Sequence, residues 1–311
     1  MRAGVGPSRV YLPDGNWATL LDFMLERFPH VPPDMLHARL ARGDIVDSAG
    51  LAQDPDSPYR ARRWLWYYRE VESEATIPFD LPVLFRDDLL VVVDKPHFLA
   101  SIPGGRYLRE TVLTRLRRDL ALPELSPLHR LDRDTAGVLV FCVLPENRGA
   151  YQALFQSREI EKEYEALAPL RTDLTLPLLR RSRLRQREGH FTMQEVPGEP
   201  NSETHVELIA GQGALGCYRL RPHTGRKHQL RVHMSGLGIP IWNDSFYPDL
   251  RPYAESDDFS KPLQLLARAI EFTDPITGER RRFESRRRLR WPGVNAAASA
   301  PAGARRPAGR N

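Results

Sequence analysis

Hydrophobic residues near the N-terminus recur at helical spacing. Apolar side chains return every three or four positions across residues 17–28, which predicts one amphipathic helix that the prolines after it terminate. The positions are Trp17, Leu20, Leu21, Met24, Leu25 and Phe28. A second short helix is predicted over residues 34–41, and residues 43–50 read as a strand followed by a turn. The pattern therefore predicts a small, mainly helical N-terminal module.

From about residue 77 the pattern changes to short β-rich runs separated by Asp, Pro and Gly. These runs lie at residues 83–85, 89–93 and 138–141, and helices are predicted between and after them, at residues 111–120 and 148–156. The alternation favours an α+β fold with a mixed, largely antiparallel sheet flanked by helices. We expect a module over 1–75, a catalytic domain over 76–293 and a disordered basic tail over 294–311.

One predicted strand carries a tyrosine beside a lysine. Because side chains alternate along a strand, Ile160, Lys162, Tyr164 and Ala166 share one face. Tyr164 is expected to point inward. An inward tyrosine is more often a core residue whose hydroxyl finds a partner, and the pattern alone favours that reading.

A charged turn runs directly into the apolar strand at residues 138–141. Residues 129–134 read His-Arg-Leu-Asp-Arg-Asp. A carboxylate at such a strand edge is held in direction yet stays open to a substrate, which makes Asp132 a candidate reactive group. A solvated turn of weakly paired Arg and Asp side chains is the alternative.

The segment 221–238 predicts a short helix with an arginine beside its apolar side. Thr224 is a plausible N-cap, and Leu230 and Met234 lie on the apolar side. A guanidinium there can keep a carboxylate ionised, so we expect Arg231 to be the partner of Asp132. Pairing of Arg231 with some other acid is left open.

Composition narrows the functional class only slightly. The chain has 311 residues, 41% of them hydrophobic, and no apolar run long enough to cross a bilayer. The N-terminus lacks an apolar signal region, so we expect a cytoplasmic protein. Cys142 and Cys217 lie far apart in apolar surroundings and read as packing residues. The histidines at 223, 228 and 233 do not have the usual metal-ligand spacing, so no metal site is predicted.

The net charge of +5 is unevenly distributed. Arginines cluster at residues 180–187 and 280–290. Clustered arginine suits a phosphate backbone, although a solvated charged face explains the same composition.

Three separate segments resemble one family. Residues 129–137 resemble the active-site signature of the RluA-type pseudouridine synthases, with Ala136 where Ser is more usual. Lys162-Glu163-Tyr164 resembles the Lys-x-Tyr segment of that family, and residues 224–233 resemble its Thr-Gly-Arg to His motif. The pattern continues to Asn243, where Gly is usual, and the Lys95-Pro96 loop also resembles the family.

The resemblance implies an RNA pseudouridine synthase that needs no cofactor and no metal. It implies catalytic roles for Asp132, Tyr164 and Arg231, with Asp132 acting as a nucleophile or as a base. The expected partner is RNA, large-subunit ribosomal RNA rather than tRNA, and the protein is expected to be a monomer without a protein partner. The expected RNA-binding residues are Lys95, His129, Arg130, Lys162, Arg226 and His228.

The N-terminal module resembles the alpha-L RNA-binding motif less sharply, and an unrelated helical cap is the alternative. If the resemblance holds, its arginines face RNA: Arg39, Arg42, Arg60, Arg62 and Arg63.

Two other functions compete with the synthase. A hydrolase could use His129, Asp132 and Asp134, but a second carboxylate motif or a ligand cluster is missing from the sequence. A non-catalytic RNA-binding protein would need only the basic patches.

Overall fold

The first predicted helix forms, but it begins at Leu20 rather than at Trp17, where the apolar stripe starts. In a computed structural model, which describes residues 1, 3–70, 74–250 and 258–292, helix α1 spans Leu20–Arg27. The Thr19 hydroxyl accepts a hydrogen bond from the Asp22 backbone N–H at 3.1 Å, and the Asp22 carboxylate accepts one from the Thr19 backbone N–H at 2.9 Å. This reciprocal pair is a capping box, which fixes the start of the helix. Helix α2 spans Pro33–Ala41 and confirms the second predicted helix.

A three-stranded antiparallel sheet accompanies these helices. Its strands are β1 (Ser8–Leu12), β2 (Ile45–Val46) and β3 (Arg63–Tyr67), in the order β1-β3-β2. The strand at β2 was predicted, whereas β1 and β3, each five residues long, were not. Val10, Leu12 and Leu65 on one sheet face form a core with Leu20 and Phe23 of α1. That this module is an alpha-L motif stays a prediction.

The described chain forms two compact units. The first contains Met1–Arg133 and Leu139–Gln152, and the second contains Asp134–Val138 and the described residues from Ala153 onward. The domain boundaries expected from the sequence stay a prediction, and the tail over 294–311 lies outside the described residues.

The remaining elements of the first unit are two strand pairs and a helix. Strands β4 (Val83–Arg86) and β5 (Leu90–Lys95) pair in antiparallel fashion, as do β6 (Ser126–Pro127) and the end of β7 (Ala136–Cys142). Helix α3 (Val112–Asp119) lies between the two pairs in the sequence, with Thr111 as its N-cap. All residues of β5 and β7 are buried, which explains their continuous apolar runs. Helix α4 (Arg148–Ser157) follows β7 and ends in the second unit.

The second unit consists of a long sheet and one short helix. Its elements are β8 (Glu161–Pro169), β9 (Leu178–Gln186), β10 (Met193–Val196), β11 (Ser202–Gln212), β12 (Leu215–Pro222), α5 (Gln229–Gly236), β13 (Leu265–Thr273) and β14 (Arg280–Glu284), which pairs with β13. Neighbouring strands run in the order β10-β9-β11-β12-β8-β13 and pair in antiparallel fashion, while the start of β7 pairs in parallel with β13. This arrangement confirms the predicted mixed, largely antiparallel sheet.

The cysteines are packing residues, as expected. Cys142 is buried and its thiol donates to the Leu144 carbonyl at 3.1 Å, and neither cysteine forms a disulfide. Burial raises the pKa of the Cys217 thiol to about 11, which keeps it protonated and unreactive at neutral pH.

Candidate active site

The loop that carries Asp132 connects β6 to β7. The Leu128 backbone N–H donates to the Val140 carbonyl at 3.0 Å, and the Val140 N–H donates to Nε2 of His129 at 3.2 Å. His129 therefore has a structural contact in addition to any contact with RNA, and that second role stays a prediction. The side chain of Asp132 is partly exposed and that of Arg130 is exposed.

Hydrogen bonds hold the backbone on both sides of Asp132. The Ser101 hydroxyl donates to the Leu131 carbonyl at 2.7 Å and accepts from the Leu131 N–H at 3.1 Å. On the other side, Nζ of Lys95 donates to the Arg133 carbonyl at 2.9 Å. Asp132 therefore sits between two anchored residues, which restricts the direction of its carboxylate.

Lys95 is a buried anchor of the loop that carries Asp132. Its side chain is 0% exposed, and Nζ also donates to the carbonyls of Pro96 at 3.0 Å and Leu99 at 2.7 Å. Three carbonyl acceptors match the three N–H donors of a protonated lysine. The contacts explain the Lys-Pro loop as a support for the Asp132 loop, whereas direct binding of RNA by Lys95 stays a prediction that burial makes less favourable.

Gly137 lets the backbones of β7 and β13 approach closely. Its φ is +115°, and a Cβ atom there would lie 2.1 Å from the carbonyl oxygen of Ala267. No L side chain fits this position, so the glycine of the motif has a steric cause.

Strand β8 alternates as the sequence predicted. Ile160 just before the strand and Ala166 within it are buried, and Tyr164 packs against the core that includes Leu230 and Met234 of α5. Burial, followed by repulsion from Arg158, lowers the pKa of Lys162. The amine of Lys162 lies 3.9 Å from where a Cβ of Gly225 would be.

The opposite face of β8 is charged and paired. Glu163 accepts from Arg221 at 3.2 Å, and Glu165 forms a two-point ion pair with Arg268 at 2.8 and 2.7 Å. These pairs place the strand's glutamates away from Tyr164.

Arg231 forms a buried ion pair within α5 and the segment after it. Its side chain is 1% exposed, Nε lies 2.8 Å from Oδ2 of Asp244, and Nη2 lies 2.5 Å from Oδ1. Nη1 lies 4.0 Å from Oδ2 of Asp134. The guanidinium also covers the ring of Phe246, 4.3 Å from its centroid. Arg231 therefore pairs with Asp244, the kind of other acid that the sequence left open. Contact of Arg231 with Asp132 stays a prediction.

The expected N-cap of α5 was wrong. The helix begins at Gln229 with His228 at the N-cap position in a left-handed conformation, φ +54°. The Thr224 hydroxyl instead accepts from the Glu203 N–H at 2.9 Å and donates to the Gln229 side chain at 2.7 Å. Thr224 therefore ties the loop to β11, and a cap could not be distinguished from this role by spacing alone.

The predicted RNA-binding residues differ in exposure. Arg226 is exposed, Lys162 is partly buried, and His228 is 7% exposed with Nδ1 2.9 Å from the Tyr247 hydroxyl. Arg130 and Arg226 are thus exposed to solvent, and RNA contacts from all four side chains stay predictions.

Many clustered arginines are paired with carboxylates. Arg181 lies 2.6 Å from Glu203, and Arg180 is bonded to Glu195. In the second cluster, Arg280 and Arg282 both bind Glu271. At these positions the arginines form a charged surface paired with carboxylates, as the alternative interpretation expected. Any phosphate binding has to come from other arginines of the two clusters.

The arginines of the N-terminal module are also largely engaged. Arg39 is 8% exposed and bonds to Glu70 at 3.3 Å, which also accepts from Arg42 at 3.1 Å. Arg62 binds Asp14 at 2.9 Å. The expectation that these three side chains simply face RNA is therefore not supported by their contacts.

Sequence reasoning missed several supporting residues. The sequence assigned no role to Asp244 or Ser101, and it suggested a role for Asp134 only in a hydrolase. An acid within a largely apolar stretch was the signal available for Asp244. In the described ranges, no group of three or more His, Cys, Asp or Glu residues could hold a metal, and no helix could span a membrane.

Comparison with known proteins identifies the family. The family model for RNA pseudouridylate synthase matches residues 89–236, which include Asp132, Tyr164 and Arg231. The dual-specificity RNA pseudouridine synthase RluA of Salmonella typhi is 34% identical over 212 residues, which cover 66% of this chain and 92% of the relative. The chain belongs to the RluA-type pseudouridine synthase family. Enzymes of this family isomerise uridine to pseudouridine in RNA, and this chain is therefore an isomerase that acts on RNA.

A second sequence relative of this pseudouridine synthase, and a solved structure similar to it, are also described as pseudouridine synthases. An uncharacterised RNA pseudouridine synthase from Synechocystis is 29% identical over 242 residues, covering 73% of this chain and 79% of the relative. The structure of human RNA pseudouridylate synthase domain containing 1 aligns with a TM-score of 0.55 at 22% identity, covering 68% of this chain and 86% of that one. This likeness establishes a pseudouridine synthase fold.

Proposed function

We propose that this enzyme isomerises a specific uridine in structured RNA, with large-subunit ribosomal RNA as the substrate and tRNA as the alternative. The observation that carries the proposal is the Asp132 loop, whose backbone is anchored at Leu131 and Arg133 while the Asp132 side chain stays partly exposed. Because the RluA relatives are named dual-specificity, any test has to include both ribosomal RNA and tRNA. We expect the enzyme to act in the cytoplasm as a monomer, without a cofactor.

Asp132 starts the reaction in this proposal. It either attacks C1′ of the target nucleotide or removes a sugar proton, and either step breaks the bond between N1 and C1′. Both roles require an ionised carboxylate. The base then turns and C5 bonds to C1′, which breaks the bond between Asp132 and C1′ in the first route or returns the sugar proton from Asp132 in the second. The net change is loss of a proton from C5 and gain of one at N1.

Arg231 positions acidic groups in the segment that carries Asp132. Asp134, two residues after Asp132, lies 4.0 Å from Arg231, and Asp244 holds the guanidinium from the other side. A buried guanidinium so close to Asp134 supports the expected pairing with Asp132.

Tyr164 is the proposed acceptor for the C5 proton. A phenol with an ordinary pKa near ~10 is a weak base at neutral pH. Lys162 lies two residues away on the same strand face, and burial lowers the pKa of its amine. In this proposal the Lys162 side chain favours the phenolate form of Tyr164. Tyr164→Phe is therefore expected to lower kcat by about 10²–10⁴-fold while retaining RNA affinity.

Exposed Arg130 fits the step that extracts the base. The target uridine has to leave its stack, at a cost of roughly a few kcal/mol that is least in loops. Arg130, two residues before Asp132, is placed on the same loop to occupy the vacated space.

The deciding experiment compares Asp132→Asn with the unaltered enzyme. The variant should lose turnover and keep most of its RNA affinity, because the amide preserves shape but not charge. Mapping pseudouridine in ribosomal RNA and tRNA from cells lacking the protein should then reveal a missing site in large-subunit ribosomal RNA. Unchanged turnover in the variant would contradict the role of Asp132, and a site missing only from tRNA would contradict the substrate.

Excess chelator separates the synthase from a metal-dependent hydrolase. A synthase that reacts through Asp132 should keep its full rate after chelation, and its RNA should stay intact. RNA cleavage that stops when a chelator is added would contradict the proposal.

A further inference from the structure

The N-terminal sheet has one buried face and one open face. Val10, Leu12 and Leu65 point inward and are 6%, 0% and 0% exposed. Because side chains alternate along a strand, the residues between them point outward. Among these, Tyr11 is 43% exposed and Trp64 is 38% exposed.

The outward residues form one continuous patch. Tyr11 is directly opposite Trp64 across β1 and β3, Arg9 is opposite Trp66, and Val46 of β2 is opposite Trp66 on its other side. The Tyr11 and Trp64 ring centroids are 5.1 Å apart. The guanidinium carbon of Arg9 lies 4.4 Å from the Trp64 ring centroid. We call these five residues the aromatic face.

We propose that the aromatic face binds a single-stranded stretch of RNA by stacking bases on Tyr11 and Trp64. This inference rests on the proposed function in that it takes RNA as the substrate. It assigns to the N-terminal module a binding mode different from the arginine surface expected from the sequence.

The chemistry of the aromatic face matches exposed bases. Aromatic side chains on a sheet stack against unpaired bases, and this contact tolerates any sequence because every base has a π-face. Strand positions hold the rings in place before binding, so little side-chain freedom is lost. Bases of a duplex are already stacked on one another, which restricts this mode to single-stranded segments.

The charge of the aromatic face favours a polyanion such as RNA over a basic or purely apolar partner. None of its five outward residues is acidic, and Arg9 adds a cation next to the rings. A guanidinium plane can itself stack on a base or bind a phosphate. Elsewhere in the module, Arg42 and Arg62 are bound to Glu70 and Asp14 and offer less to phosphate.

The test uses the full chain with two matched double variants. Tyr11→Thr/Trp64→Thr removes both rings but keeps β-branched residues suited to strands, whereas Tyr11→Phe/Trp64→Phe keeps a π-face at each position. Binding of a short, fluorescently labelled oligouridine is measured over a series of salt concentrations. We expect roughly tenfold or greater weakening in the Thr variant and near-normal binding in the Phe variant.

Two further variants distinguish stacking from charge and from general damage. The Thr variant should leave the salt dependence unchanged, whereas Arg9→Gln should reduce the slope by about 0.7, the value for one phosphate on a single strand. Leu51→Thr removes a 65% exposed apolar side chain outside the aromatic face and should bind normally. Thermal unfolding of each variant shows that the module stays folded.

Three results would overturn the inference. The first is that the Thr variant binds oligouridine as tightly as the unaltered protein. The second is that the Phe variant weakens oligouridine binding as much as the Thr variant does. The third is that the Thr variant loses self-association while its RNA affinity is unchanged. The last would indicate a protein-binding face. If the protein isomerises uridine normally and the Thr variant binds oligouridine unchanged, only this inference is refuted. Weakened oligouridine binding in a protein that isomerises no uridine refutes only the proposed function.

Discussion

At the scale of single residues, the reactive loop depends on a buried lysine. Lys95 joins three backbone carbonyls, one of them that of Arg133 directly after Asp132. A carboxylate that reacts with one ribose carbon or proton must be held within a fraction of an ångström, and loop backbones provide this only when they are anchored. The position of Asp132 therefore depends on a residue that never needs to touch RNA.

Lys95→Met should lower both stability and turnover. Methionine fills a similar volume but leaves three carbonyls without a donor, at a cost of about 1–3 kcal/mol for each one that water cannot reach. Chemical denaturation should show a loss of several kcal/mol, and kcat should fall while RNA affinity changes little. The same change at exposed Lys261 is the control and should alter neither. Normal kcat in a folded Lys95→Met enzyme would contradict the anchoring role.

Gly137 allows a second test at a single residue. A Cβ there would lie 2.1 Å from the Ala267 carbonyl oxygen, and the φ of +115° disfavours any L side chain. Gly137→Ala should destabilise the enzyme by several kcal/mol, since β7 and β13 would have to separate. Gly149→Ala in α4 meets nothing within 4 Å and should stabilise by up to about 1 kcal/mol. Similar unfolding midpoints for the two variants would contradict this explanation.

At the scale of elements, a histidine fastens α5 to two strands. His233 is 0% exposed, and its Nε2 lies 3.0 Å from the Ser182 hydroxyl of β9 and 2.9 Å from the Ser202 hydroxyl of β11. Its Nδ1 lies 2.9 Å from the Thr204 hydroxyl. Burial lowers the pKa of His233 to about 4. The helix that carries Arg231 is thus attached through a neutral imidazole.

This attachment should make stability depend on pH. The unfolded chain binds the His233 proton below its ordinary pKa of 6.5, while the folded chain resists it down to about 4. The contribution of His233 to the free energy of unfolding should therefore be fully present above pH 6.5. It should fall as the pH drops towards 4, by up to roughly 1.4 kcal/mol per pH unit. In His233→Gln this component should disappear from denaturation curves measured across that range, whereas exposed His37→Gln should retain it. An unchanged pH dependence in His233→Gln would assign it to other groups.

At the scale of the whole molecule, periodicity predicted more of the fold than of the contacts. The apolar runs at β5 and β7 and the capped helix α1 follow from local pattern, because burial on both faces or one stripe determines which residues occur there. Strands β1 and β3 are short and half exposed. They pair with each other across more than fifty residues of sequence, so the local pattern of neither strand indicates its partner. Register between such strands is decided by tertiary packing.

Motifs select the residues that we propose to be reactive but not the side chains around them. The spacing in residues 129–137 selects Asp132 without reference to structure, whereas the partner of Arg231 depends on which acid the fold delivers, and Asp244 lies 2.5 Å away. Lys95 illustrates the same limit, because a lysine next to a loop is equally consistent with a phosphate contact and a carbonyl anchor. Only burial distinguishes the two.

The distribution of paired and exposed arginines should determine how RNA affinity varies with salt. Each phosphate neutralised contributes about 0.7–0.9 to the slope of log affinity against log salt. Exposed Arg185 on β9 is a candidate phosphate contact, so Arg185→Gln should reduce the slope by about that amount. Arg181 already binds Glu203 at 2.6 Å, so the charge-neutral double change Arg181→Gln/Glu203→Gln should leave the slope unchanged. Filter binding of a substrate RNA at several salt concentrations measures both. Equal slopes for the Arg185 variant and the unaltered enzyme would mean that β9 presents a solvated charged face instead of a phosphate-binding strand.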